Sequence, residues 1–254
     1  MKVELIDPTS GMSSTPSFGM TILLNEHTAI DAGTLGFLWP ISRQRQVCRV
    51  FLSHSHMDHV AALPAFLDNV YGTGLECPTI LACSDTLKSL QCDLFNDRLW
   101  PDFVRLSEQG PAFLRLQQLS PFETVQANEL RVTPWPLSHV VPVLGFLVED
   151  STSSVAFLTD TGPCDAIWER INACESLKAV FLECSFPQRH EPLATASGHL
   201  SVTTFAGEIS KLRRSVPVIA YHLKPAFHEE IVEELKRLQR PNVEVIQPGR
   251  VYTF

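Results

Sequence analysis

The stretch Cys48-Arg-Val-Phe-Leu-Ser-His-Ser-His-Met-Asp-His59 constrains this chain more than any other. Val50, Phe51 and Leu52 form a continuous apolar run bounded by polar residues, the pattern of a parallel strand buried on both faces. The run stops abruptly at His54, His56, Asp58 and His59. Alternate side chains of an extended segment share a face, so His54 and His56 can address one ion. Ala61, Ala62, Leu63, Phe66, Leu67 and Val70 then carry helical spacing, which puts Asp58 and His59 where the chain turns into a helix. That turn aims a second ligand pair at a neighbouring position. Imidazole and carboxylate suit borderline divalent metals, and the aspartate adds negative charge. A single histidine in such a loop is ordinarily a surface residue, but four potential ligands within six residues predict a metal site.

The hexapeptide His54-Ser-His-Met-Asp-His59 resembles the HxHxDH signature of the metallo-β-lactamase superfamily. That resemblance implies an α/β fold, the αββα sandwich of two mixed sheets flanked by helices, with a two-metal site at one edge. It leaves the substrate open. Met57 stands where leucine is common, a swap that conserves volume.

A chain of 254 residues with 44% hydrophobic content can bury a sizeable core, and residues 1–254 are expected to form a single domain. The start, Met1-Lys-Val-Glu-Leu-Ile-Asp-Pro, turns polar before reaching signal-peptide length, and no later segment approaches a membrane span. A cytoplasmic protein is expected. Seven cysteines without a CxxC pair read as buried reduced thiols. The net charge of −8 argues against a nucleic-acid polymer or another large polyanion, whereas a small anion can be met locally by a metal pair.

Strands are predicted around Val3 to Ile6, Met20 to Leu24 and Thr28 to Ile30, with a Gly/Ser/Thr-rich turn from Pro8 to Pro16. Asp31-Ala-Gly33 ends this part. Pro78 to Ala82 reads as a strand, followed by a helix that carries Leu87, Leu90, Leu94 and Phe95. Trp100 and Phe103 beyond it are either pocket-lining or core residues. Alternation from Phe113 to Val132 predicts antiparallel strands, and Pro134 and Pro136 make a rigid approach to His139. Ser154 to Leu158 is a strand that stops at Asp160, before a helix from Pro163 to Asn172. Leu177 to Leu182 likewise stops at Glu183, and Val216 to Tyr221 stops at His222. Helices from Val202 to Arg214 and from Pro225 complete the pattern.

His54, His56, Asp58, His59, His139, Asp160 and His222 are therefore the metal-ligand candidates, delivered by separate strand ends. Asp160 is read either as a carboxylate bridging two cations or as a helix cap. Glu183 and His199 are candidates for a proton-donating pair, a histidine oriented by a carboxylate. The alternative places Glu183 in a turn and His199 at a helix start.

Asp160-Thr-Gly-Pro163, Glu183-Cys-Ser-Phe-Pro187, Gly198-His-Leu-Ser201 and His222-Leu-Lys-Pro225, with Leu99-Trp-Pro-Asp-Phe103, resemble the class II cyclic-nucleotide phosphodiesterase family. The similarity runs from the strand before His54 to the C-terminus. Through the superfamily pattern it shares, it implies His54, His56 and His139 on one metal, Asp58, His59 and His222 on the other and Asp160 between them, with Asp31 either bracing the ligand loop, as in the superfamily's first motif, or standing as a plain turn aspartate. It also implies hydrolysis of 3',5'-cyclic nucleotides, cAMP or cGMP, to 5'-monophosphates by a metal-activated hydroxide. Asp58, His199 and Glu183 would form the catalytic group, and His199, Ser201 and Lys224 the substrate contacts. Zinc is the first expectation for the two divalent ions, with manganese or iron as alternatives, and a homodimer is compatible with the fold. The competing readings are a tRNA 3'-processing endonuclease of the same superfamily and a cyclic-nucleotide binder without catalysis.

Overall fold

Most of the apolar runs form strands, with ends shifted by a residue or two. The computed structural model describes residues 1–6, 19–72 and 76–254, so the turn expected from Pro8 to Pro16 lies outside the described residues. In chain order the strands are β1 (Lys2–Leu5), β2 (Ile22–Leu24), β3 (Thr28–Ile30), β4 (Arg49–Phe51), β5 (Thr79–Ala82), β6 (Arg115–Gln118) and β7 (Val125–Ala127). They continue with β8 (Leu130–Pro136), β9 (Leu144–Glu149), β10 (Ser154–Leu158), β11 (Leu177–Glu183), β12 (Val218–Tyr221), β13 (Val243–Val245) and β14 (Val251–Thr253). The helices are α1 (Ile41–Gln44), α2 (Met57–Val60), α3 (Leu63–Val70), α4 (Ser84–Ser89), α5 (Phe103–Gln109), α6 (Asp165–Ala173), α7 (Glu191–Ser197), α8 (Val202–Ile209) and α9 (His228–Arg237).

The described residues divide into two compact units. The amino-terminal unit comprises Lys2–Ser120 and Pro248–Thr253; the carboxy-terminal unit comprises Pro121–Gln247 with Met1 and Phe254. Each holds one seven-stranded mixed sheet, ordered β14-β1-β2-β3-β4-β5-β6 in the first and β13-β12-β11-β10-β9-β8-β7 in the second. In the first sheet β3 to β6 are mutually parallel; in the second β10 to β13 are. Parallel strands finish on the same side, so in the second unit the ends of β10, β11 and β12 gather Asp160, Glu183 and His222 at one sheet edge.

Helical apolar stripes cover each sheet. Leu63, Phe66 and Leu67 of α3 join Val50 and Leu52 around β4 and Ile80 of β5 in the amino-terminal core. Trp168 and Ile171 of α6, Phe205 of α8 and Ile231 of α9 cluster with Ala156, Val180 and Val218 in the other. Each of the valine, leucine, isoleucine and phenylalanine side chains among them contributes about 1.5–3 kcal/mol on burial. No helix among the described residues is long and apolar enough to cross a membrane.

The structure corrects several expectations. The strand after Phe113, β6, pairs parallel to β5 with Ile80 opposite Leu116, because the intervening connection is helical and such crossovers return the chain in the same direction. Only β7 and β8 form the expected antiparallel pair. Helix α8 ends at Ile209 instead of running to Arg214. There the Asn172 amide donates to the Lys211 carbonyl and accepts from the Arg213 N–H, drawing the chain out of the helical path. The helix expected from Pro163 begins at Asp165, with Cys164 at the cap position, so Asp160 is not its cap. Pro225 opens a 3-10 turn, and α9 begins at His228. Of the cysteines only Cys184 is fully buried, and Cys92 is exposed; among the described residues no disulfide joins any of them.

Candidate metal centre

In the amino-terminal unit, Ser53 and His54 follow directly on β4, and His56 leads into α2, whose first turn carries Asp58. Behind this loop lies Asp31, in a left-handed conformation at φ 61°. Its carboxylate accepts the Ser53 N–H at 2.7 Å, the Ser53 hydroxyl at 2.9 Å and the His59 Nδ1–H at 2.7 Å. The Ser53 oxygen in turn faces His54 Nδ1 at 2.9 Å. Gly33 explains the close fit: a Cβ there would stand 1.8 Å from the Asp58 carbonyl oxygen. Asp-Ala-Gly is thus a brace packed against the ligand loop, with the Ala32 N–H donating to the His59 carbonyl at 2.7 Å. The His54 ring lies 4.5 Å from His56 and 4.2 Å from His59, centroid to centroid.

The carboxy-terminal unit repeats the device. Glu183, fully buried at the end of β11, accepts the Thr161 N–H at 2.9 Å, the Ser185 hydroxyl at 2.7 Å and the His199 Nδ1–H at 2.7 Å. Ser185 Oγ faces His222 Nδ1 at 3.0 Å, and His139 Nδ1 donates to the Gly198 carbonyl at 2.8 Å. Gly198 ends α7 at φ 70°, and a Cβ there would meet His139 Nδ1 at 2.9 Å, so the position needs glycine twice over. His222 is also left-handed, at φ 57°. Backbone strain of this kind costs about 1–3 kcal/mol and gathers at functional sites.

Five rings, His54, His59, His139, His199 and His222, thus have Nδ1 engaged by the protein. This leaves Nε2 as the coordinating or proton-carrying nitrogen, the arrangement that fixes a ligand's tautomer and orientation. His222 Nε2 stands 3.4 Å from Asp160 Oδ1. Donors about 2.0–2.2 Å from one tetrahedral ion are separated by roughly that distance, so this pair fits a shared cation. His199 Nε2 lies 4.0 Å from Asp160 Oδ2. Burial lowers the pKa of His139 despite the Gly198 carbonyl and nearby carboxylates, favouring the neutral form that binds metal. Burial also opposes charge on His199, but the Glu183 carboxylate, reinforced by Asp160, outweighs it and the Lys224 charge, and raises the pKa above the ordinary imidazole value.

The other predicted residues are placed as follows. Ser201 caps α8, accepting the Thr204 N–H in a capping box, and holds His199-Leu200 in a short link between α7 and α8. Lys224 is half-buried and leads into the turn at Pro225. Phe103 is core, stacked on Phe95 and Phe113, and Trp100 packs against the same core. Asp102 within that motif caps α5 through the Arg105 N–H. Ser53 and Ser185 are the residues sequence reasoning missed. The one available signal was a serine beside His54 and another two positions after Glu183.

Replacing Asp31 with alanine is expected to weaken divalent-metal binding about 10–100-fold while the fold persists, because His59 loses its orienting partner directly and His54 loses its own through Ser53. Competition with a metal-sensitive dye measures this; unchanged affinity would show that the brace does not act on the ligands.

Residues 28–243 match the family described as the beta-lactamase superfamily domain, and the chain belongs to that family. Membership implies divalent metal ions, in keeping with these His/Asp sets. The chain is 28% identical over 221 residues to a Yersinia pestis protein named "Probable 3',5'-cyclic-nucleotide phosphodiesterase", covering 75% of this chain and 62% of that one. It is 24% identical over 241 residues to the chloroplast tRNase Z TRZ2 of Arabidopsis thaliana, covering 78% and 64%. The chain thus spans a little under two thirds of the lengths of these curated relatives. Unliganded yeast PDE1 superposes with a TM-score of 0.78 at 18% identity, covering 98% of both chains. That likeness establishes the fold: two mixed sheets flanked by helices.

Proposed function

We propose that the chain hydrolyses 3',5'-cyclic nucleotides to 5'-nucleoside monophosphates with the help of two divalent metal ions. In this reading residues 1–254 act as one domain. His54, His56 and His139 would hold one ion and Asp58, His59 and His222 the other, with Asp160 available to both. Two divalent ions, zinc first among them, would supply a nucleophile at neutral pH and neutralise the phosphoryl oxygens. The chain's own residues do the rest. His199, kept protonated by Glu183, donates from Nε2 to the departing 3' oxygen, and Ser201 fixes its backbone from the helix cap. Lys224 contacts the phosphate. The observation that carries the reading is the buried Glu183–His199 pair at 2.7 Å, beside Asp160, an acid suited to an alkoxide leaving group. The name of the Yersinia relative supports the same substrate class. Absence of any disulfide among the described residues supports a reducing, cytoplasmic setting.

The test is chromatography of products after metal-reconstituted protein is incubated with 3',5'-cyclic AMP and, separately, with 3',5'-cyclic GMP, beside metal-free controls. Metal-dependent 5'-AMP or 5'-GMP is expected. Recovery of both nucleotides intact with metals bound would overturn the reading and favour pre-tRNA 3' cleavage, which the similarity to a plant tRNase Z keeps as the second candidate. Saturable binding with the ligand recovered intact would instead mark a non-catalytic binder.

A further inference from the structure

Helix α4 does not continue regularly. Leu90–Leu94 forms a π-helical turn closed by the Phe95 N–H on the Leu90 carbonyl at 2.8 Å. Such wide turns are rare and concentrate at functional sites. This one keeps Leu90 and Leu94 buried while turning Asp93 out to solvent. Between it and the ligand loop lies a cleft of about 140 Å³. Drug-sized ligands occupy about 300–1,000 Å³, so this cleft suits a single small ring system. Val60 and Leu90 form its buried floor, and Met57 and Leu99 stand at its mouth, 53% and 61% exposed. Two large apolar side chains left in water on either lip present faces for a planar aromatic group, and a thioether packs well against rings. The polar lining includes Ser89 and Asp93. Met57 sits between His56 and Asp58 in sequence, so one wall of the cleft is the ligand loop itself.

We infer that this cleft is the base subsite, and that Asp93 makes it favour guanine over adenine. The inference rests on the cyclic-nucleotide reading above. An ionised carboxylate only accepts hydrogen bonds. Guanine presents a ring N–H and an amino group side by side, one donor for each carboxylate oxygen. Adenine presents one amino group flanked by ring nitrogens that are themselves acceptors, which a carboxylate repels. Asparagine at the same position would offer a donor and an acceptor, the pattern that pairs with adenine.

The experiment compares kcat/KM for cyclic GMP and cyclic AMP in the metal-loaded protein and in Asp93→Asn, with bis(p-nitrophenyl) phosphate as an ester that lacks a base. The unaltered protein is expected to prefer cyclic GMP about tenfold or more, and Asp93→Asn to lower that ratio by about tenfold or more. A ratio the substitution does not move, or a loss shared equally by all three substrates, overturns the base subsite and leaves the phosphodiesterase reading standing. Turnover of the nitrophenyl ester with neither cyclic nucleotide hydrolysed overturns both.

Discussion

Asp160→Ala is expected to lose at least one bound metal ion per chain and to lower cyclic-nucleotide turnover by about 10³-fold or more, equivalent to some 4 kcal/mol of transition-state stabilisation. The geometry explains why so much rests on one side chain. Asp160 is 1% exposed at the end of β10, where no helix-capping role accounts for it. Its two oxygens address different imidazoles, Oδ1 that of His222 and Oδ2 that of His199. No neighbouring side chain on β10 can replace it, because Phe157 and Leu158 are apolar and buried. Asp160→Asn separates charge from shape: it keeps the volume and one acceptor, and should retain more metal than alanine while remaining slow. Metal analysis by mass spectrometry, with near-ultraviolet dichroism to verify the fold, gives both readouts. A fully metallated, fully active Asp160→Ala protein would remove this residue from the site.

How legible was this site in the sequence? The strand ends were, because each couples two independent signals, an apolar run and the ligand or carboxylate that stops it. Val50 to Leu52 before His54, Ser154 to Leu158 before Asp160 and Val216 to Tyr221 before His222 all obey that rule, and each forms a strand. Less legible was whatever depends on long-range partners. The capture of Lys211 and Arg213 by Asn172, 39 and 41 residues away, shortens α8, and no local pattern announces it. Strand direction was hidden for a related reason: alternation at Leu114 and Leu116 is the same whether β6 runs with or against β5. The two serines that join carboxylate to histidine were invisible because a strand-end serine is commonplace. Only the fold shows that Ser53 pairs with Asp31 across 22 positions, whereas Ser185 meets Glu183 across two and His222 across 37. The π-helical turn at Leu90 is equally hidden, since its apolar spacing fits a plain helix as well.

His199→Ala should leave the metal content intact and slow hydrolysis of the cyclic nucleotide about 10²–10⁴-fold, the usual worth of a positioned general acid. Its Nδ1 is tied to Glu183, so the ring cannot turn away, and its Nε2 looks toward Asp160, where the phosphoryl group would lie. Two roles are consistent with that position, donation to the leaving oxygen and contact with the phosphate, and the leaving group separates them. A p-nitrophenolate departs without a proton, whereas a ribose 3' alkoxide does not. If His199 is the acid, the loss with a p-nitrophenyl phosphodiester should be slight beside the loss with cyclic AMP. Equal losses would make it a phosphate contact instead, and unchanged turnover of both would show that protonation comes from elsewhere. Glu183→Gln completes the argument. Glutamine can still accept the Nδ1–H, but it removes the charge that raises the His199 pKa against the effect of burial. Its loss should follow the same leaving-group dependence as His199→Ala, and metal content is measured beside it because the same carboxylate also holds Ser185, which faces His222.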